Sequence, residues 1–259
     1  MTQLVHTPRG GRRGLNHRWL WLGATVLFLG PGTAAADGPL LTEDTKTLDP
    51  GRIELELEGN YAKVEEGTIW LLATRVNIGV LRGLEVDVEA SFVHLDPDED
   101  NTRWGVGPTF VNVKYRLLDE TEHRPAFMGA VALGLPTGDE DFGLEEKGVL
   151  VQPLAVVSKT FGPLMLTLNG GYIFNTADSD REFWVVRGSF EYEITDAWSL
   201  VGEIVSGLGT HDGADVVVLR AGTVLAITEG IEVYTGVGFG LTSDSPDVTV
   251  RLGVTIALF

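Results

Sequence analysis

Glu54, Glu56 and Glu58 stand at alternate positions, and Glu85, Asp87 and Glu89 repeat the pattern further along the chain. Cations share such a phase elsewhere, at Arg75, Lys114, Arg116, Arg187 and Arg251, with Glu191 on the same face as Arg187. Residues two apart on an extended chain share one face, so these positions form acidic and basic ladders. Two chemistries follow. The ladders either neutralise one another inside a filled interior, because unpaired buried charge is costly, or they stand on opposite walls of a water-filled passage and select what crosses it. Catalysis would need a base within reach of a nucleophile or an orienting group. Beyond residue 36 the histidines are His94, His123 and His211, and none has a serine at a neighbouring same-face position. His94 with Asp96 is the pair that could act as base and orienting acid, which would mark a lipid-active enzyme. Walker, dinucleotide and zinc-helix motifs do not occur, and with no Cys in the chain thiolate chemistry and thiolate metal sites are excluded. No catalytic residue, metal or cofactor is assigned.

The ladders require strands. Ile53, Leu55, Leu57, Gly59 and Tyr61 alternate with Glu54, Glu56, Glu58 and Asn60, a period of two that a helix would scatter around its axis. Leu84 to Phe92 and Trp184 to Ile194 repeat the alternation. About twelve such segments can be marked between residues 51 and 259, and at roughly 10 to 13 residues they match tilted membrane-spanning strands better than the strands of about 5 or 6 usual in soluble proteins. Connections alternate in length, apart from the first hairpin, closed by Glu65-Glu66-Gly67 alone, and the somewhat long middle turn Asp119 to His123. Leu81-Arg82-Gly83, Phe161-Gly162-Pro163, Thr195-Asp196-Ala197 and Glu229-Gly230 are tight, whereas Asp96 to Thr102, Pro136 to Lys147, Asn175 to Asp180, Gly209 to Ala214 and Thr242 to Asp247 are long. That alternation, with Tyr61, Trp70, Phe92, Trp104, Tyr172, Phe174, Trp184 and Trp198 near strand ends, predicts an all-β transmembrane antiparallel barrel with aromatic girdles. A secreted β-sandwich is the competing fold. The apolar faces would then meet outer-membrane lipid, and the ladders would line the lumen. Gly236, Gly238 and Gly240 leave room on the inward side of their strand.

The long loops are rich in Asp and Glu, but Asp96-Pro97-Asp98-Glu99-Asp100 lacks the ligand spacing and glycine of a calcium loop. A formal charge of −18 argues against sequence-independent nucleic-acid binding. The 44% hydrophobic and 22% charged composition excludes a disordered polymer. At the start, Arg9, Arg12, Arg13 and Arg18 precede an apolar run from Trp19 to Gly30 and the small residues Ala34-Ala35-Ala36, the pattern of a cleavable signal. The Arg12-Arg13 pair raises a twin-arginine route, but Gly14, Leu15 and Asn16 lack the Phe-Leu pair expected after it. The expected organisation is a signal peptide over 1–36, a periplasmic N-terminal segment over 37–50 and the barrel over 51–259.

The stretches Gly107 to Asp119, with Lys114-Tyr115-Arg116, then Arg124-Pro125, Leu135-Pro136-Thr137-Gly138-Asp139 and Leu168-Asn169-Gly170-Gly171-Tyr172 resemble an outer-membrane transporter family labelled for the meta pathway of phenol degradation. The resemblance covers most of the mature chain. It implies a bacterial outer-membrane barrel passing small compounds, hydrophobic or aromatic ones among them, with Pro136, Thr137, Gly138 and Asp139 carried over as motif positions only. It also suggests that the terminal aromatic Phe259 is read by the barrel-assembly machinery, although Leu258, Ile256 and Val254 carry the apolar phase. A closed structural or adhesive barrel with acidic loops is the alternative to a channel.

Overall fold

The computed structural model describes residues 40–98, 101–139, 148–177, 179, 182–209 and 215–259. The expected signal peptide lies outside them, as do Glu99, Asp100, Glu140, Asp141, Glu145, Glu146, His211 and Asp212 of the long loops. The strands are β1 (Ile53–Val64), β2 (Gly67–Leu81), β3 (Leu84–Pro97), β4 (Arg103–Val106), β5 (Thr109–Leu118), β6 (Ala126–Leu135) and β7 (Leu150–Phe161). They continue with β8 (Leu164–Asn175), β9 (Phe183–Thr195), β10 (Trp198–Leu208), β11 (Val216–Thr228), β12 (Ile231–Gly240) and β13 (Val248–Ala257). Neighbours pair antiparallel, and β1 pairs with both β2 and β13, so the sheet closes on itself. Among the described residues closure leaves only the short β4 without a second strand partner.

The wall has twelve staves, because β4 and β5 both pair with β3 and are two pieces of one stave. The sequence predicts a single strand through this stretch. Gly107-Pro108 interrupts it, since a proline has no N–H to give the ladder. The motif loop repairs the interruption. Asp139 donates its backbone N–H to the Val106 carbonyl at 3.0 Å, and its Oδ2 accepts from Val106 N at 3.1 Å. Thr137 Oγ1 accepts from Thr109 N at 2.8 Å. The loop thus replaces the ladder partner that β4 lacks. Asp139→Ala is expected to speed amide exchange at Val106 by roughly tenfold, the equivalent of about 1 kcal/mol, with Val113 unchanged; equal exchange at Val106 in both proteins would contradict this role.

Outward positions are apolar: Trp70, Leu72, Trp184, Leu252 and Phe239 are all more than half exposed, as lipid-facing residues are in a barrel seen without its bilayer. Aromatic pairs cluster at the long-loop end, with Tyr61 and Trp70 at 4.7 Å and Tyr172 and Trp184 at 4.9 Å. Tyr115, Phe161, Tyr192 and Trp198 lie outward at the short-turn end. Inward positions alternate with these, and they hold the buried charge. The chain ends meet at the short-turn end, where Ile53 N donates to Phe259 O at 3.3 Å; the Phe259 side chain is 74% exposed.

Candidate functional site in the barrel interior

Register turns the ladders into alternating rows. Glu56, Arg75 and Glu89 are direct cross-strand neighbours on β1, β2 and β3, and Arg75 Nη1 lies 2.9 Å from Glu56 Oε2 while Nη2 donates to Glu89 Oε2. Lys114 stands opposite Glu85, with Nζ 3.6 Å from Glu85, 3.2 Å from Asp87 and 3.2 Å from Glu43. Arg251 pairs with Glu58, and the Tyr234 hydroxyl donates towards Glu58 at 2.9 Å while also reaching Glu56. Gly253 makes this possible, since a Cβ there would lie 2.3 Å from the Tyr234 ring. On the far wall Glu203 and Arg220 face each other on β10 and β11 and form an ion pair. At these positions each buried cation meets at least one carboxylate, the arrangement that offsets desolvation.

A stretch that precedes the first strand lies within the barrel. Leu40, Leu41, Thr42, Glu43, Asp44, Thr45 and Leu48 are buried, and their partners come from strands all around the wall. Residues 40–48, expected as part of a periplasmic N-terminal segment over 37–50, are thus held against inward side chains of the wall. The physical reason is that Glu85 of β3, Asn169 of β8, Arg187 of β9, Glu203 of β10 and Arg251 of β13 have bonding capacity that the backbone of this stretch meets, while Lys114 of β5 takes the Glu43 carboxylate. The chain enters over Gly79, where a Cβ would lie 2.2 Å from the Asp49 carbonyl, and Leu48 N donates to Glu85 Oε2 at 2.8 Å. Deeper in, Leu41 N and Thr42 N donate to Glu203 Oε2 at 2.8 and 2.9 Å. Asn169 accepts from Glu43 N and donates to Glu43 O, both at 2.7 Å. Arg187 donates to Leu41 O and Arg251 to Leu40 O at 2.9 Å. Leu41 packs in an apolar cluster with Ile173, Phe183, Val185, Val205 and Val218. Burial pushes the Glu43 carboxyl up to about 7, with the Lys114 ammonium pulling the other way.

The sequence-named positions divide. Glu56, Arg75, Glu85, Asp87, Glu89, Lys114, Arg187 and Arg251 are buried in the interior, with Glu58 against Arg251. Glu54 is half-buried nearer the short-turn end, and Glu191 lies 3.5 Å from Lys46. Arg116 does not join the glutamate ladder; its Nε is 3.0 Å from Asp119 in the adjoining turn. Gly238 does not leave open room, because Thr249 Oγ1 and Val218 Cγ1 crowd the place of its Cβ, and Pro246 O lies against Gly240. Pro136, Thr137, Gly138 and Asp139 are at the rim of the wall rather than in the interior. The His94 ring lies tilted against Trp104 at 3.8 Å between centroids, and Asp96 accepts from Thr102 instead. Among the described residues no group of His, Asp or Glu is placed to hold a metal ion. Sequence reasoning missed Glu203, Arg220, Asn169, Asn112, Gln152 and Glu43.

A family model described as "Putative MetA-pathway of phenol degradation" matches residues 36–258. No curated protein matches the sequence. Among solved structures, the COG4313 outer membrane channel from Pseudomonas putida F1 is similar at 16% identity and TM-score 0.68, over 83% of this chain and 98% of that one. The KdgM porin is 12% identical with TM-score 0.57, over 80% and 99% of the two chains. The NanC porin is 13% identical with TM-score 0.56, over 79% and 100%. At these identities the likeness speaks for the barrel fold.

Proposed function

The chain belongs to the family described as "Putative MetA-pathway of phenol degradation", and from that premise we propose that it is a passive channel of the bacterial outer membrane for small compounds, hydrophobic and aromatic ones among them. The observation that carries this reading is that the middle of the barrel is occupied by residues 40–48, a stretch outside the wall, which can leave without breaking a strand pair. The fold shared with two porins and an outer membrane channel supports it. Seated, the segment closes the lumen; displaced, it opens a polar passage. Assembly into the membrane through the exposed terminal Phe259 belongs to the same proposal. Liposomes carrying the protein should admit phenol-sized solutes faster when residues 40–48 are removed. Folded protein that admits none with or without the segment would leave only the structural or adhesive barrel.

Seating should depend on pH. The Glu43 carboxyl has an ordinary value near 4.5 when released and about 7 when seated, so between those values the seated state binds a proton that the released state does not. Seating is therefore strongest below about 4.5, weakens as pH rises through 7, and is weakest above it. Lys114, Asp87 and Arg75 face the group from β5, β3 and β2, and Arg187 shares its pocket. The expected result is solute flux that rises with pH across this window in the full chain and is flat in Glu43→Gln. An unchanged slope in that variant would show that another group sets the response.

A further inference from the structure

The interior holds its occupant mainly by the backbone. Across Leu40 to Glu43 the hydrogen bonds to strand side chains take the carbonyls of 40, 41 and 43 and the N–H groups of 41, 42 and 43. Asn169 grips the N–H and the carbonyl of one residue with its own amide, the two-point contact by which one peptide unit reads another whatever its side chain. Glu203 takes two successive N–H groups, and Arg187 and Arg251 take two successive carbonyls. These four residues project from β10, β8, β9 and β13 into one lumen.

Side chains add a preference on top of that grip. The first two positions are apolar, with Leu40 against Val201, Val224 and Tyr234 and Leu41 in its own cluster. Thr42 Oγ1 donates to Glu203 at 2.8 Å, and the Glu43 carboxylate meets Lys114. Beside that carboxylate is a small void lined by Ala130, Ala132, Asn112 and Gln152. Two buried donors on this void, Gln152 Nε2 and Arg187 Nη2, have no hydrogen-bond partner. Unmet donors at that depth are costly and mark a place that would take a further acceptor.

Resting on the channel reading above, we infer that the lumen is a binding site for short extended peptides of the pattern apolar, apolar, hydroxyl, acidic, and that the chain's own residues 40–43 occupy it as a tethered stand-in for such a peptide. Tethering gives the resident segment a high effective concentration, so a free peptide binds once the segment is out.

The test uses the full chain with Leu41→Asp, which places a charge in the apolar cluster and unseats the segment while leaving every strand intact. A second protein lacking residues 40–48 guards against incomplete release, and heat-modifiable gel mobility reports folding of both. The probe is a fluorescent synthetic peptide, Leu-Leu-Thr-Glu-Asp-Thr-Lys-Thr-Leu, read by anisotropy in detergent and by blockade in a planar bilayer. Expected results are saturable binding, interruption of the current, weakening by about tenfold with Asn169→Ala or with the probe's glutamate changed to alanine, and little binding of a scrambled probe. Equal binding of native and scrambled probes, or no binding to a folded segment-free barrel, would overturn the peptide site while leaving the channel intact. Specific binding to a folded barrel that carries no current would sustain the site and overturn the channel.

Discussion

Removing residues 40–48 is expected to raise single-channel conductance about tenfold or more, because conduction scales with the open cross-section of the lumen and its charged lining. Nothing in the wall depends on those residues for strand pairing: β1 begins at Ile53 and keeps its full ladders with β2 and β13. What the deletion removes is a stretch with Leu40, Leu41, Thr42 and Glu43 each no more than 5% exposed. The lining that remains is unequal in sign. Glu54, Glu56, Glu58, Glu85, Asp87, Glu89 and Glu203 outnumber Arg75, Lys114, Arg187, Arg220 and Arg251, so the opened lumen should prefer cations in a salt gradient. Full-chain conductance equal to that of the deletion would mean that the segment does not obstruct the path. Anion preference would mean that the Arg187, Arg220 and Arg251 wall, not the glutamate ladder, dominates the field.

Lys114→Met should be the most destabilising single substitution among the interior charges. The ammonium is 1% exposed and is shared by Glu43, Glu85 and Asp87 within 3.2 to 3.6 Å. Without it three carboxylates remain buried together, and breaking a buried pair in this way costs about 3–5 kcal/mol. A urea titration followed by heat-modifiable mobility should show the midpoint falling. The loss should shrink as pH is lowered, since protonation removes the uncompensated charge. Arg116→Met is the contrasting case. Its pairing with Asp119 lies in a turn whose carboxylate is more than half exposed, and such a contact contributes about 1 kcal/mol or less. Equal losses in the two variants would show that the row of charges around Lys114 does not hold the interior together.

The barrel was legible because alternation over strands such as Ile53 to Tyr61 admits only one regular backbone, and because short and long connections alternate along the chain. The acidic ladders of β1 and β3 were legible for the same reason. Glu203 and Arg220 were hidden, since their inward neighbours are Val201, Val205, Val216 and Val218, which makes β10 and β11 apolar on both faces. Asn169 sat inside a motif whose residues carried a resemblance but no stated task. The lumenal segment gave no periodic signal at all. Leu40 to Leu48 has neither a strand nor a helix repeat, and its burial comes from side chains distant in the chain, from Glu85 and Lys114 to Asn169 and Glu203. The break at Gly107-Pro108 had a sequence mark in the proline, but the strand pattern on either side masked it; only the pairing of Asp139 with Val106 shows what the motif loop does there.

The central claim, that residues 40–48 reside inside the barrel, is open to direct chemical measurement because the chain has no cysteine. A single cysteine introduced as Thr42→Cys in the full chain, treated in liposomes with a bulky polar maleimide, should react at least about tenfold more slowly than one placed at the exposed turn residue Asp196, since reaction requires the segment to open. Thr42 is 1% exposed in its seated position. Introducing Leu41→Asp alongside it should bring the rate up to that of the turn. Equal rates for the two single-cysteine proteins from the outset would place the segment outside the lumen and contradict the account.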